Sequence, residues 1–370
     1  MLHHIKANLN ALRVFLARLQ RRGYGSAAAL LYLAPVAATD RLYAKFAGAI
    51  NAFLLAPCCN QRRFRQFQQQ HASGWRGHLY LIVMPRMLHF LIPCIRLIPP
   101  DVQVIFIGNG QSAWEEKQAR ALRPNAPFFN LATLPRSSLA HGHVIDMLLQ
   151  HNEEPFGIVD HDLYVFDEEI FRFKNFAEDE CMRGIFGDVS ARTGLVYPQT
   201  HFLFLNTPVV RGLMERYQVH ARLYRSLPRR LADVAAKVGV VRGVTLKDYH
   251  DFFDTLHVLL VLAYAEGYRV GFIEPPHDES VFHVGGTSIG SLITKDLPEL
   301  YSQWRFLELS DQPALRERYG KLLAPFGSSD EIYRLLPHTL RVEHMVQTTD
   351  RLAEKLSARQ IQRRKSERQG

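Results

Sequence analysis

The chain has 370 residues, 47% apolar and 22% charged, enough to bury a large core in one catalytic domain with appendages or in two domains. Its four cysteines, Cys58, Cys59, Cys94 and Cys181, show neither a CxxC pair nor a zinc spacing, which excludes a disulfide-framework reading and favours a reduced, cytoplasmic protein. No run reaches the roughly 18–20 apolar residues of a membrane-spanning helix.

The net charge of +9 is unevenly spread. Residues 1–76 carry eleven Lys and Arg against the single acid Asp40, and residues 351–370 carry seven against two. A basic head and tail therefore flank a mildly acidic centre, a pattern suited to contact with a polyanion such as a membrane surface or nucleic acid, or to solvated helical faces. In the head, Leu2, Ile5, Leu9, Leu12, Leu16 and Leu19 recur at helical spacing with Lys6, Arg13, Arg18, Arg21 and Arg22 between them. That is the pattern of a surface-lying amphipathic helix or of a helix packed on its own domain.

Residues 1–76 read as helical, with breaks at Gly23-Tyr24-Gly25 and near Pro57. From residue 77 strands and helices alternate. HLYLIVMP (78–85) reads as a strand, LHFLIPCIRLI (88–98) as a helix or turn segment broken by Pro93, and VQVIFIGNG (102–110) as a second strand. SAWEEKQARALR (112–123) reads as a helix with Ser112 as N-cap and Glu115 three residues on, the spacing of a capping box. APFFNLA (126–132) is a third strand, SLAHGHVIDMLLQH (138–151) a helix and FGIVDHD (156–162) a fourth strand. Further on come a strand at 201–208, basic helical sequence over 209–237, a helix over 251–268, a strand at 269–276 and the Gly-rich loop VFHVGGTS (281–288). The last forty residues read as helical.

Apolar strands alternating with helices indicate a mostly parallel α/β sheet, in which ligands bind beyond the carboxyl ends of the strands. Three such ends carry polar or Gly-rich residues: Gly108-Asn109-Gly110-Gln111-Ser112, Thr133 and Asp160-His161-Asp162. They are expected to converge on one side of the sheet.

Asp160 and Asp162 are the sharpest feature. Two carboxylates held close repel, and one of them would normally stay protonated. A divalent cation removes the conflict, because Mg²⁺ and Mn²⁺ prefer carboxylate oxygens and leave room for water and phosphate. If the strand stays extended through residue 162, both side chains point the same way. One can then bind metal and the other a ribose hydroxyl or a metal-bound water.

The order of these pieces resembles the inverting, nucleotide-sugar-dependent glycosyltransferases of GT-A fold. LYLIVMP resembles the family's first strand and VIFIGNGQS its second strand with the Asp-Asn-Gly-Ser ending. HGHVIDMLLQ sits where the family has its donor-side helix, IVDHD resembles the metal-binding Asp-x-Asp, and FHVGGTS resembles the late His-x-Gly-Gly-x-Ser segment. The resemblance covers residues 78–290. It implies a Rossmann-like, mostly parallel sheet with helices on both faces over residues 77–300, a helical basic extension over 1–76 and a helical extension with a basic tail over 301–370.

It also implies that Asp160, Asp162 and His283 hold Mn²⁺ or Mg²⁺ against the donor diphosphate. Asn109, Gly110, Ser112, Asp160, Gly285, Gly286 and Ser288 would contact the nucleotide-sugar donor. The catalytic base would be Asp254 or Asp251, both in HDFFDTLH. Two departures stand out. Gly108 replaces the family's Asp, so the nucleotide base cannot be inherited, and Phe252-Phe253 separate the two acids of the family's Glu-Asp pair. The implied acceptor is a glycan or a lipid-linked sugar, with peripheral contact to the inner face of a membrane through the basic ends and nucleic acid as an unfavoured partner. A nucleotidyltransferase, or a basic nucleic-acid- or membrane-binding protein on an inactive transferase fold, are the alternatives.

Overall fold

The computed structural model describes residues 42–369 apart from 44, 73, 136, 248, 278, 286–294, 296 and 337. The amphipathic pattern of residues 2–22 lies outside the described residues. The chain divides into two compact units: one comprises Ala47–Pro85 and Arg96–Val281, and the described residues of the other fall within Met1–Phe46, Arg86–Ile95 and Phe282–Gly370.

The first unit opens with a π-helical stretch, Asn51–Asn60, that runs into α1 (Gln61–His71). Then come β1 (Leu79–Val83), α2 (Leu88–Leu97, mostly in the second unit), β2 (Val104–Gly108), α3 (Ala113–Leu122), β3 (Phe128–Asn130), α4 (His141–His151) and β4 (Phe156–Asp160). The short strands β5 (Leu163–Val165), β6 (Glu180–Gly184), β7 (Gly187–Val189), β8 (Val196–Pro198) and β9 (Phe202–Leu205) lead to α5 (Thr207–Tyr217), α6 (Ala232–Ala236), α7 (His257–Ala265), β10 (Arg269–Phe272) and β11 (Val281–His283).

Seven strands form one sheet in the order β10-β6-β9-β4-β1-β2-β3. Only β9 runs against its neighbours, β4 and β6. Every residue of β1 and β2 is buried, as the unbroken apolar runs demand of strands covered on both faces. The chain winds outward from β1 through β2 to β3, then returns on the other side of β1 as β4, which pairs Asp160 with Ile82. The order of strands therefore reverses between β1 and β4, the place where a doubly wound sheet opens a crevice at its carboxyl edge.

Charge assigned residues 1–76 to a separate head, yet the helix Asn51–His71 folds with the sheet. Phe64 is fully buried and meets Phe129 edge-on at 5.1 Å. Two asparagines fix the rest. Asn60 donates to the Ala132 carbonyl at 2.9 Å and accepts from its amide at 2.7 Å. Asn51 accepts from the Leu134 amide at 2.9 Å and donates to the Ser137 hydroxyl at 2.9 Å. The backbone beyond β3, which has no ladder partner there, is thus satisfied by side chains from the head.

Two other sequence expectations shift. The helix expected over 251–268 begins only at His257, because Leu256 stands in the left-handed region at φ 67° and Phe253 bridges backbone to backbone with Tyr224. The basic stretch 209–237 is helical only over α5 and the short α6, with loop between them. The capping box forms as expected: the Glu115 amide donates to the Ser112 hydroxyl, and the Ser112 amide to the Glu115 carboxylate.

The second unit is helical. It adds α8 (Leu297–Leu309), α9 (Pro313–Leu323), α10 (Ser329–Tyr333) and α11 (Leu340–Gln369) to the buried part of α2. Phe90 of α2 packs on Phe306 at 4.7 Å, and the His89 ring nitrogen meets Gln303 at 2.7 Å in the same interface. Tyr301 and Arg305 of α8 both donate to Asp350 of α11, at 2.8 and 3.0 Å. No helix among the described residues is long and apolar enough to cross a membrane.

The Asn60 brace carries a measurable consequence. Asn60→Ala removes both hydrogen bonds to the half-buried Ala132 amide and carbonyl and should cost about 1 kcal/mol in urea-unfolding experiments. An unchanged transition would show that helix Asn51–His71 is not part of the first unit's folding.

Candidate active site

β4 delivers Asp160 to the switch point, but the strand does not stay extended through Asp162 as the sequence reading required. It ends at Asp160, and His161-Asp162 turn before β5 begins at Leu163. The two carboxylates nevertheless stay together, with an oxygen of each within 4.8 Å of the other. The turn is fixed from below: buried His161 donates from Nδ1 to the Ile82 carbonyl of β1 at 3.2 Å, and the Asp160 amide donates to His201 at 2.9 Å. Asp162 is buried and Asp160 half-buried. A close pair of hard oxygen donors in a partly dry site suits Mg²⁺ or Mn²⁺ and not a soft metal.

His141, the first residue of α4, is the group that sequence reasoning missed. Its Nε2 lies 3.6 Å from an Asp160 oxygen, too far for a hydrogen bond, and has no hydrogen-bond partner among the described residues. Burial drives the imidazole down to about 4, against the pull of Asp254 and Asp162, so it is neutral near pH 7. Nothing in the spacing of HGHVIDMLLQH distinguishes His141 from His143 or His151, so only the fold singles it out.

Asp254 lies in the irregular loop before α7. The Lys247 ammonium donates to its Oδ2 at 2.8 Å and the Thr255 amide to its Oδ1 at 2.8 Å. Burial pushes the Asp254 carboxyl up, but Lys247 and the amide outweigh it and hold the group below the ordinary 3.8. Asp251 is exposed. His257, at the start of α7, is buried, and burial pulls it down to about 4.

The Asp254 loop is strapped to α4. Asp146 of α4 is almost wholly buried and accepts from the Ala221 amide at 3.0 Å and from Arg222 Nε and Nη2 at 3.0 and 2.9 Å, with His220 Nδ1 at 3.2 Å. Removing one member of such a pair would leave a buried, uncompensated charge and cost about 3–5 kcal/mol.

The other sequence-predicted residues fall as follows. Asn109 is buried, and its side chain braces the loop before α4 by donating to the Leu139 carbonyl and accepting from the Leu139 amide, each at 2.7 Å. Ser112 caps α3. Gly110 has φ 87°, and a β-carbon there would come within 2.5 Å of the Ser137 carbonyl and the Thr133 hydroxyl. These residues stand together at the carboxyl edge, Asn109 buried and Ser112 exposed. His283 closes β11 and, with Gly285 (φ 65°), belongs to the second unit. Gly286 and Ser288 lie outside the described residues.

Residues 58–210 match the family described as the StrH glycosyltransferase N-terminal domain, a stretch that contains β1 to β4 and both carboxylates. No curated protein matches the chain. Among solved structures, the bifunctional glycosyltransferase WbbM is similar over 67% of this chain and 52% of its own, at 12% identity and a TM-score of 0.38. GlyE of Streptococcus pneumoniae TIGR4 is similar over 67% of this chain and 64% of its own, at 10% identity and 0.37. The galactosyltransferase LgtC, solved with donor and acceptor sugar analogs, is similar over 71% of this chain and 99% of its own, at 11% identity and 0.34. The carboxylate pair lies inside the stretch that matches the glycosyltransferase domain, which covers about two fifths of the chain.

Proposed function

We propose that the protein transfers a sugar from a nucleotide-diphosphate donor to a hydroxyl of a glycan or lipid-linked acceptor, with inversion, on a GT-A fold. The observation that carries this reading is the pair of carboxylates, within 4.8 Å of each other, at the switch point of the sheet. Asp160 and Asp162 would hold Mn²⁺ or Mg²⁺, with His283 as third ligand. In support of His283, the Phe166 amide just beyond β5 donates to the Ser280 carbonyl at 2.8 Å, so the chain entering β11 starts beside the strand that leaves Asp162. When bound, the cation supplies positive charge to the departing diphosphate.

In this reading the acceptor oxygen bonds to the anomeric carbon as the bond from that carbon to the diphosphate oxygen breaks. Asp254 takes the acceptor proton, and the nucleoside diphosphate leaves. Asp254 is preferred to Asp251 because it is half-buried and held by Lys247 and the Thr255 amide, whereas Asp251 is exposed. Lys247 keeps Asp254 ionised and so available as a base. Neutral His141 offers the sugar a hydrogen-bonding atom with no partner among the described residues. Gly110 and Gly285, together with Gly286 and Ser288, would let backbone approach the donor phosphates, and Asn109 and Ser112 would hold that edge in shape.

The membrane part of the proposal has its own support. Phe53 and Leu54 are 79% and 56% exposed on the helix that also presents Arg62 and Arg65 to solvent. An apolar ridge beside arginines suits an anionic bilayer surface, where each basic residue contributes about 1 kcal/mol. The double variant Phe53→Ser/Leu54→Ser should lose co-sedimentation with phosphatidylserine vesicles, and full retention would refute this contact.

Two further outcomes test the chemistry. Purified protein with Mn²⁺ should release nucleoside diphosphate from one member of a nucleotide-sugar panel. The Asp160→Ala/Asp162→Ala variant should be slower by ~10²–10³-fold, the scale of losing a main electrostatic stabiliser. Release of pyrophosphate would instead identify a nucleotidyltransferase, and turnover untouched by the double substitution would remove the metal role.

The pH profile tests the base. A carboxyl held below 3.8 stays ionised at every pH above that, and both its activity and its stabilising effect are lost only as pH falls below it. Lys247→Met removes the strongest lowering influence and leaves burial to raise Asp254. The acid limb of kcat/KM should therefore move to higher pH in this variant. Superimposable profiles would rule out Asp254 as the base.

A further inference from the structure

Gly142 and Arg222 lie outside the groups assigned to metal, donor or base, yet the backbone between the metal carboxylates and Asp254 depends on them. Gly142 follows His141 at the start of α4. A β-carbon on Gly142 would lie 2.8 Å from the Arg222 Cα, 3.1 Å from the Ala221 carbonyl oxygen and 3.1 Å from the Thr255 hydroxyl. Two of these are backbone atoms and cannot swing aside. The chain at 221–222 therefore reaches α4 only because residue 142 has no side chain.

The same short segment holds the Asp254 loop. The Ala221 carbonyl accepts from the Leu256 amide at 2.9 Å, and Tyr224 and Phe253 exchange amide-to-carbonyl hydrogen bonds at 2.8 Å in both directions. Between these anchors sit Asp254 and Thr255. Leu256 closes the loop at φ 67°, a left-handed conformation that costs a bulky side chain energy and persists only where the surroundings impose it. The other side of the segment is tied to α4 by the fork of Arg222 on buried Asp146. One strap, residues 220–224, thus grips α4 with one set of contacts and the Asp254 loop with the other. His141, which meets Asp160 at 3.6 Å, stands on the gripped turn of α4.

We propose that Gly142 and Arg222 are positioning residues for the transfer reaction: the Asp146–Arg222 fork and the bare backbone of Gly142 set how far Asp254 stands from Asp160 and Asp162. The proposal rests on the glycosyl-transfer reading above. Neither residue touches metal or sugar in this arrangement. Each acts by fixing the reach between the base and the anomeric carbon, where a displacement of about 1 Å lowers turnover roughly a hundredfold.

The test uses the full-length protein, Mn²⁺ and the nucleotide sugar selected by the hydrolysis panel, in Gly142→Ala, Arg222→Gln and Arg222→Lys. Turnover should fall by about a hundredfold in the first two, with KM for donor and Mn²⁺ within about twofold of the parent, because the metal carboxylates stay in place. Arg222→Lys, which keeps the charge on Asp146 but not the fork, should recover part of the loss. Hydrogen exchange at the Leu256 amide should accelerate in step with the loss.

Parental turnover alongside faster Leu256 exchange would overturn the proposal, as would a parallel rise of both KM values, which would mark general damage. If the parent protein turns over no nucleotide sugar, the transfer reading fails by itself. Exchange confined to residues 253–257 in Gly142→Ala still decides whether the strap sets that loop. Should Gly142→Ala not fold, Arg222→Lys carries the same comparison.

Discussion

Two like charges at the end of a buried strand set the terms for the first unit. Asp160 and Asp162 repel, and the half-dry carboxyl edge of β4 makes the repulsion stronger than it would be in water. The fold turns the backbone at His161 and ties that residue to β1, which keeps the carboxylates within 4.8 Å of each other. Two hard oxygen donors held this close suit a doubly charged cation. The sheet topology explains the location, since β1 and β4 are the strands between which the winding changes direction.

The surrounding layer is built to keep that edge rigid. Asn109 spends both ends of its amide on Leu139, Asn60 spends both of its own on Ala132, and Ser112 caps α3. For Asn109, taking a ligand on its side chain would break a buried hydrogen bond. In the fold, Asn109 and Ser112 also brace the loops on which they stand.

Asp254 and Lys247 show how electrostatics divides labour on one edge. Asp254 stays ionised because an ammonium at 2.8 Å outweighs the cost of its burial. His141, 3.6 Å from Asp160, stays neutral because burial dominates there. A neutral donor-acceptor beside a carboxylate suits recognition of sugar hydroxyls, which both give and take hydrogen bonds.

The sequence alone determined much of this. Unbroken apolar runs in LYLIV and VIFIG, the Ser112–Glu115 capping box and the position of Asp160-His161-Asp162 after an apolar strand reveal the parallel sheet and its acidic edge, because these signals are local and repeat at the period of the element. Strands of three residues such as β5, β7 and β8 are too short to show a period. The helix expected from Asp251 starts only at His257, because a backbone bridge from Tyr224, distant in sequence, captures Phe253 first. Tertiary structure alone decided that His141 meets Asp160, that Lys247 holds Asp254 and that a missing side chain at Gly142 lets the strap close. Each is a contact between residues remote in the chain, set by packing distances of a few tenths of an ångström. No spacing rule within a single element encodes such distances.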